Sequence, residues 1–139
     1  MAQKITVGVT GVESDDYMDS TQLSYFKDKL LAHKKDLLAK LKDIKGEIKK
    51  MQFENADIVD RSNLISARER AIDFSTRYGQ IIRQIDQALN RIDDGSFGYC
   101  ELTGEEIGLK RLDIQPWTNL SIHALEEIER TAALTGNKD

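Results

Sequence analysis

A mainly α-helical fold, with a long antiparallel hairpin of two helices followed by a small knob and a C-terminal helix, is what three features of the sequence predict. Two stretches of apolar residues repeat every seven positions, the stretches match in length, and the short acidic decapeptide Phe53 to Ser62 lies between them. Composition agrees, because 32% of the residues are charged, 40% are hydrophobic and Pro116 is the only proline in 139 residues, so little interrupts a long helix. A chain of this length suits one domain, or a small globule with an extension.

Residues 1 to 12 alternate weakly, with Ile5, Val7 and Val9 around Gly8 and Gly11, which suits either a short strand or a loosely ordered tail. Residues 13 to 20 are polar, and Asp19, Ser20 and Thr21 each qualify as the cap of the helix that follows. We assign residues 1–20 as an N-terminal tail. In the first arm Leu23, Leu30, Leu37, Ile44 and Met51 fall seven apart, with Phe26, Leu41 and Ile48 between them. The second arm repeats the pattern in Leu64, Ala71, Tyr78, Ile85 and Ile92, joined by Ala67, Phe74, Ile81 and Ala88 or Leu89. Each seam spans 28 residues, about 42 Å at 1.5 Å per residue. Equal arms with a short connector bury each other's seams along their whole length only when they run antiparallel, so residues 21–93 form the hairpin, with its tip at 53–62. Gly46 and Gly79 lie inside the arms and permit close approach or bending, at a helical cost of up to about 1 kcal/mol each.

The run Asp93-Asp94-Gly95-Ser96 ends the second arm, with Gly95 as the stop. Residues 94–139 form the knob. Its first part reads as two short strands around a turn at Leu102 to Glu105, and a helix follows from about Asn119 to Leu134, closed by Gly136. The expected core of the knob is Phe97, Tyr99, Ile107, Leu109, Leu112, Trp117, Leu120, Leu125 and Ile128, with Trp117 central.

Composition also excludes classes. No apolar run is long enough to span a bilayer, and the N-terminus lacks the layout of a signal peptide, so a cytoplasmic protein is expected. Cys100 is the one cysteine, which removes internal disulfides and suits a reducing compartment. The net charge is −4, yet nine lysines face four acids between Lys27 and Lys50. With no aromatics interleaved in the middle of that arm, a solvated helix face is a better reading than a nucleic-acid surface. No glycine loop for nucleotides and no Cys/His pair with an orienting group is present, and His33 lies on or beside the seam, so no enzyme is expected.

The tip Asp57-Ile58-Val59-Asp60-Arg61, with the knob residues Phe97-Gly98-Tyr99-Cys100-Glu101, Gly104, Glu106-Ile107-Gly108 and Arg111-Leu112, resembles the DksA/TraR family of bacterial transcription factors over roughly residues 21–134. The resemblance implies a coiled-coil hairpin on a zinc-finger-like knob, a protein that binds RNA polymerase without sequence-specific DNA binding, and a tip that enters the secondary channel to modulate initiation. It implies that Asp57, Asp60, Arg61 and Ser62 contact the polymerase. Ser62 stands where the family usually has alanine.

Two departures follow from the same comparison. The family's two CxxC pairs correspond to Cys100, Thr103, Ser121 and Ala124 here, a set that lacks three zinc ligands even with Glu101 and His123 close in sequence; zinc is not expected, and Cys100 is read as a buried packing residue. In relatives that share a site for the alarmone ppGpp with polymerase in the stringent response, three of the basic positions are Gln84, Gln115 and Leu125 in this chain, while Arg77 keeps its charge. No cofactor is expected, and the polymerase is the expected partner of a monomer. Two other readings stay open at the level of sequence: a transcript-cleavage factor of the GreA kind, whose rod uses tip acids to hold a metal ion, and a coiled-coil adaptor or chaperone. Local chemistry also allows Asp57 and Asp60 to serve only as an N-cap and a first-turn acid of the second arm.

Overall fold

A computed structural model describes residues 5–7, 12–14, 16–51 and 58–135. In chain order the elements are β1 (Ile5–Val7), β2 (Val12–Ser14), α1 (Ser20–Lys50), α2 (Ile58–Asp94), α3 (Leu109–Ile114) and α4 (Ile122–Leu134). The residues fall into two compact units, one of Met1–Leu30 with Ile85–Asp139 and the other of Leu31–Gln84, a division that cuts both long helices.

In the first unit β1 and β2 pair antiparallel, with Ile5 opposite Ser14 and Val7 opposite Val12, which decides for a strand over a loose tail at 5–7. Of the three possible caps of α1 the structure uses Asp19, whose Oδ1 accepts the Gln22 amide at 2.9 Å. Gln22 reaches back to accept the Met18 amide at 2.7 Å, a reciprocal arrangement close to a capping box, and it steadies Met18 at its positive φ of 55°. Gly95 ends α2 as expected: at φ 86° it lets the Ser96 amide turn back onto the Arg91 carbonyl at 3.0 Å, six residues closing on one. The core here is Phe26, Leu30, Ile85, Ala88, Phe97 and Leu112, and the Phe26 and Phe97 rings lie 5.6 Å apart.

Several expectations for the knob need correction. Residues 97–108 do not form two strands but a compact loop with one bridge, Tyr99 to Glu106, and then α3. Positive φ at Gly98, Gly104 and Gly108 bends the chain too sharply for a ladder to extend. Helix α4 begins at Ile122 rather than near Asn119, because Ser121 is its N-cap and accepts the Ala124 amide at 3.1 Å. Trp117 is only half-buried, and Phe97, Leu112 and Pro116 hold the centre instead. Tyr99 and Ile128 are exposed, the latter at 44%. Gly136 lies outside the described residues.

Three side chains tie α1 to α3. Tyr25 donates to Asp113 Oδ1 at 2.5 Å, Lys29 Nζ donates to the same oxygen at 2.7 Å, and Lys29 also sits over the Tyr25 ring. Tyr17 joins the start of the chain to the knob, donating to the Gly98 carbonyl at 2.6 Å and accepting the Gly108 amide at 3.0 Å. An added Cβ on Gly98 would lie 2.7 Å from Met18 Cγ, so this glycine answers to contact as well as to φ.

The second unit is a pair of helical segments. Leu37 and Ala71 are its buried seam residues, and Lys40 of α1 lies near Tyr78 of α2. Seven residues join α1 to α2, so the two run antiparallel. Phe74, placed on the seam by the heptad reading, is instead 46% exposed and stacks on Tyr78 at 6.3 Å. A strict period of 3.5 drifts against 3.6 residues per turn, which moves positions at the margin of the stripe off the contact.

Candidate functional site

Two places carry the residues singled out in the sequence, and each lies within one unit. The first is the connector end of α2. Because α2 begins at Ile58, Asp60 falls in its first turn, where a carboxylate is stabilised by the unsatisfied amides of the helix start. Asp60, Arg61 and Ser62 are all exposed. Asp57 precedes the first helical residue and lies outside the described residues. The acid, the guanidinium and the hydroxyl therefore occupy successive positions of one exposed helical turn.

The second is the remnant of the CxxC pattern, and here the fold brings distant residues together. The backbone amides of Ser121 and Thr103 and the Thr103 hydroxyl point at the Cys100 sulfur. Burial pushes this thiol up, but those donors, led by the Ser121 amide, outweigh it and bring its pKa down to about 6. Ala124 closes the group as a buried methyl, its amide held by the Ser121 hydroxyl.

The sequence reading missed Glu105. Its Oε1 accepts the Ser121 hydroxyl at 2.6 Å, while its carbonyl accepts the Cys100 amide at 2.8 Å and its own amide donates to Thr103 Oγ1 at 3.2 Å. The Ser121 hydroxyl holds the Glu105 carboxyl below the usual range, with exposed His123 assisting at 3.7 Å. One carboxylate thereby joins the two halves of the CxxC pattern. No local motif announces this, since Glu105 and Ser121 are sixteen residues apart. Glu101, the other nearby acid, turns away to accept from Asn119 at 2.7 Å and to face Arg91 at 3.4 Å.

As a zinc site the donor set does not fit. It offers one thiol, two neutral hydroxyls already engaged in hydrogen bonds, and a methyl, where structural zinc takes four thiolate or imidazole ligands. Among the described residues no group of three or more His, Cys, Asp or Glu is placed to hold a metal ion. None of their helices is long and apolar enough to cross a membrane. At the three positions where the resemblance loses a basic side chain, Gln84 is exposed and Gln115 and Leu125 are half-buried; Arg77 lies 5.8 Å from the exposed Phe74 ring.

Comparison with known proteins covers most of the helical region. The family described as DnaK suppressor protein DksA, N-terminal domain, matches residues 22–92. The prokaryotic dksA/traR C4-type zinc finger matches residues 95–130. A protein of Caulobacter vibrioides called RNA polymerase-binding transcription factor DksA is 43% identical over 120 residues, 85% of this chain and 83% of that one. Its namesake in Escherichia coli is 30% identical over 125 residues, covering 84% and 81%. Among solved structures, transcription factor DksA2 from Pseudomonas aeruginosa is similar with a TM-score of 0.75 at 32% identity, over 84% of this chain and 90% of that one.

Proposed function

Because this chain belongs to the DksA family, we propose that it binds RNA polymerase directly and regulates transcription, with the connector between α1 and α2 as its working tip and no catalysis of its own. The relatives are named as RNA polymerase-binding transcription factors. In this reading the tip enters the secondary channel, Asp57 and Asp60 present negative charge near the catalytic centre, and Arg61 and Ser62 contact the channel wall. The observation that carries the reading is the exposure of Asp60, Arg61 and Ser62 near the start of α2. An acid at that position serves the helix dipole, but Asp60, Arg61 and Ser62 are turned to solvent together, as a recognition surface requires.

Transcription in vitro at a ribosomal RNA promoter, with and without ppGpp, tests the reading. Asn caps a helix as well as Asp does, so Asp57→Asn should melt like wild type while its regulatory effect falls several-fold; Asp60→Asn should behave likewise. The same effect with and without ppGpp is expected, because Gln84, Gln115 and Leu125 cannot supply the cationic contacts that a tetraphosphate needs. Normal regulation by a normally folded Asp57→Asn protein would refute the charged tip.

A further inference from the structure

On the outer half of α1 the residues Leu38, Leu41, Lys42, Lys45, Gly46 and Lys49 line an open groove of about 490 Å³. Two features of this groove run against the stability of the helix that bears it. The first is charge. Lys42 and Lys45 are three apart, Lys45 and Lys49 four apart, and no acid stands three or four residues from any of them along the helix. Like charges at these spacings repel. By contrast Lys40, one turn earlier, has Asp36 at 3.1 Å. Among the described residues no ion pair involves Lys42, Lys45 or Lys49.

The second is Gly46. Glycine inside a helix is unfavourable relative to alanine, and a Cβ built at this position meets no atom of the described residues within 4 Å. Among the described residues nothing therefore requires a residue without a side chain here. A bare backbone in the middle of a lysine-lined, leucine-edged groove is what the close approach of a second helix requires.

We propose that this groove docks an acidic amphipathic helix of the polymerase, crossing α1 at Gly46 with its carboxylates on the three lysines and its apolar edge on Leu38 and Leu41. The inference rests on the functional reading above and extends it to a second contact, made by α1 rather than by the tip. A helix fits better than a nucleic acid: the groove pairs its cations with leucines instead of aromatic stacking surfaces. Leu38 is 47% exposed and offers the apolar contact.

Direct binding to polymerase at two salt concentrations tests this with the full chain. The Lys42→Ala/Lys45→Ala/Lys49→Ala variant should bind at least about tenfold more weakly with a flatter salt dependence, while arginine at all three positions retains affinity. Gly46→Ala should melt at a higher temperature than wild type and yet bind several-fold more weakly, a combination that a purely structural role does not produce. Triple-alanine binding within about twofold of wild type overturns the inference, as does a Gly46→Ala protein that is more stable and binds normally. A triple variant that loses RNA or DNA binding but keeps polymerase affinity overturns the choice of occupant. A wild-type chain that does not bind polymerase removes the functional reading and this inference together; wild-type binding with unchanged variants removes this inference alone.

Discussion

Cys100 shows how one side chain can keep a family's geometry after losing its chemistry. In a knuckle that binds zinc, backbone amides point at the ligand sulfurs and help hold them as thiolates. Here the amides of Ser121 and Thr103 and the Thr103 hydroxyl still point at a single sulfur, and they bring its pKa down to about 6 despite burial. The folded value is depressed below that of an ordinary thiol, so the stabilisation is present above about pH 9 and is lost as the pH falls through about 6. Removing the thiol with Cys100→Ala should therefore flatten the rise of stability between pH 6 and 9, measured by urea unfolding across that range. An unchanged slope would show that these donors do not hold a thiolate. Low pKa does not imply reactivity here: at 3% exposure the sulfur should be alkylated slowly in the native protein and rapidly in urea.

At the scale of elements, what was legible in the sequence and what was not divides along local and long-range physics. The two long helices and the Gly95 stop could be read because a heptad repeat and a positive-φ glycine are local signals. The loop at 97–108 is not legible in the same way, since its form depends on three turning glycines and on hydrogen bonds between distant residues. Glu105 escaped notice for the same reason: only the fold sets it against Ser121. The tip was legible as an acidic helix start, although its function came from resemblance and not from spacing. The contact of α1 with α3 was also invisible beforehand. Hydrogen bonds from Lys29 and Tyr25 hold the Asp113 carboxyl below the usual range. For Lys29, burial works against the charged form, but its bond to Asp113 outweighs that and raises its pKa. Asp113→Asn should lower stability by about 1–3 kcal/mol at pH 7. A depressed carboxylate stabilises above its ordinary value and loses the effect as the pH falls through its lowered one, so wild type and variant should begin to converge below about pH 4 and coincide only below the depressed value of Asp113. Equal stability of the two at pH 7 would remove the clamp.

For the molecule as a whole the question is what replaces a metal. A structural zinc contributes on the order of 10 kcal/mol to small domains that depend on it, and such domains unfold when it is chelated. This chain matches the C4-type zinc finger over residues 95–130 while retaining only Cys100 of the four ligands. The structure offers two substitutes at the same place. Glu105 joins the Cys100 loop to the start of α4 through the Ser121 hydroxyl, and the buried Phe97, Cys100, Leu112 and Ala124 join a core that reaches Phe26 and Ile85 of the long helices. Neither needs a cation. Excess EDTA should consequently leave the melting temperature and the far-ultraviolet circular dichroism unchanged, whereas Glu105→Ala should lower the melting temperature by several degrees, as expected when a buried hydroxyl loses its acceptor. The two measurements answer each other. Unfolding by EDTA would show that a metal still holds the knob, and an unaffected Glu105→Ala protein would leave apolar burial as the sole replacement for the zinc.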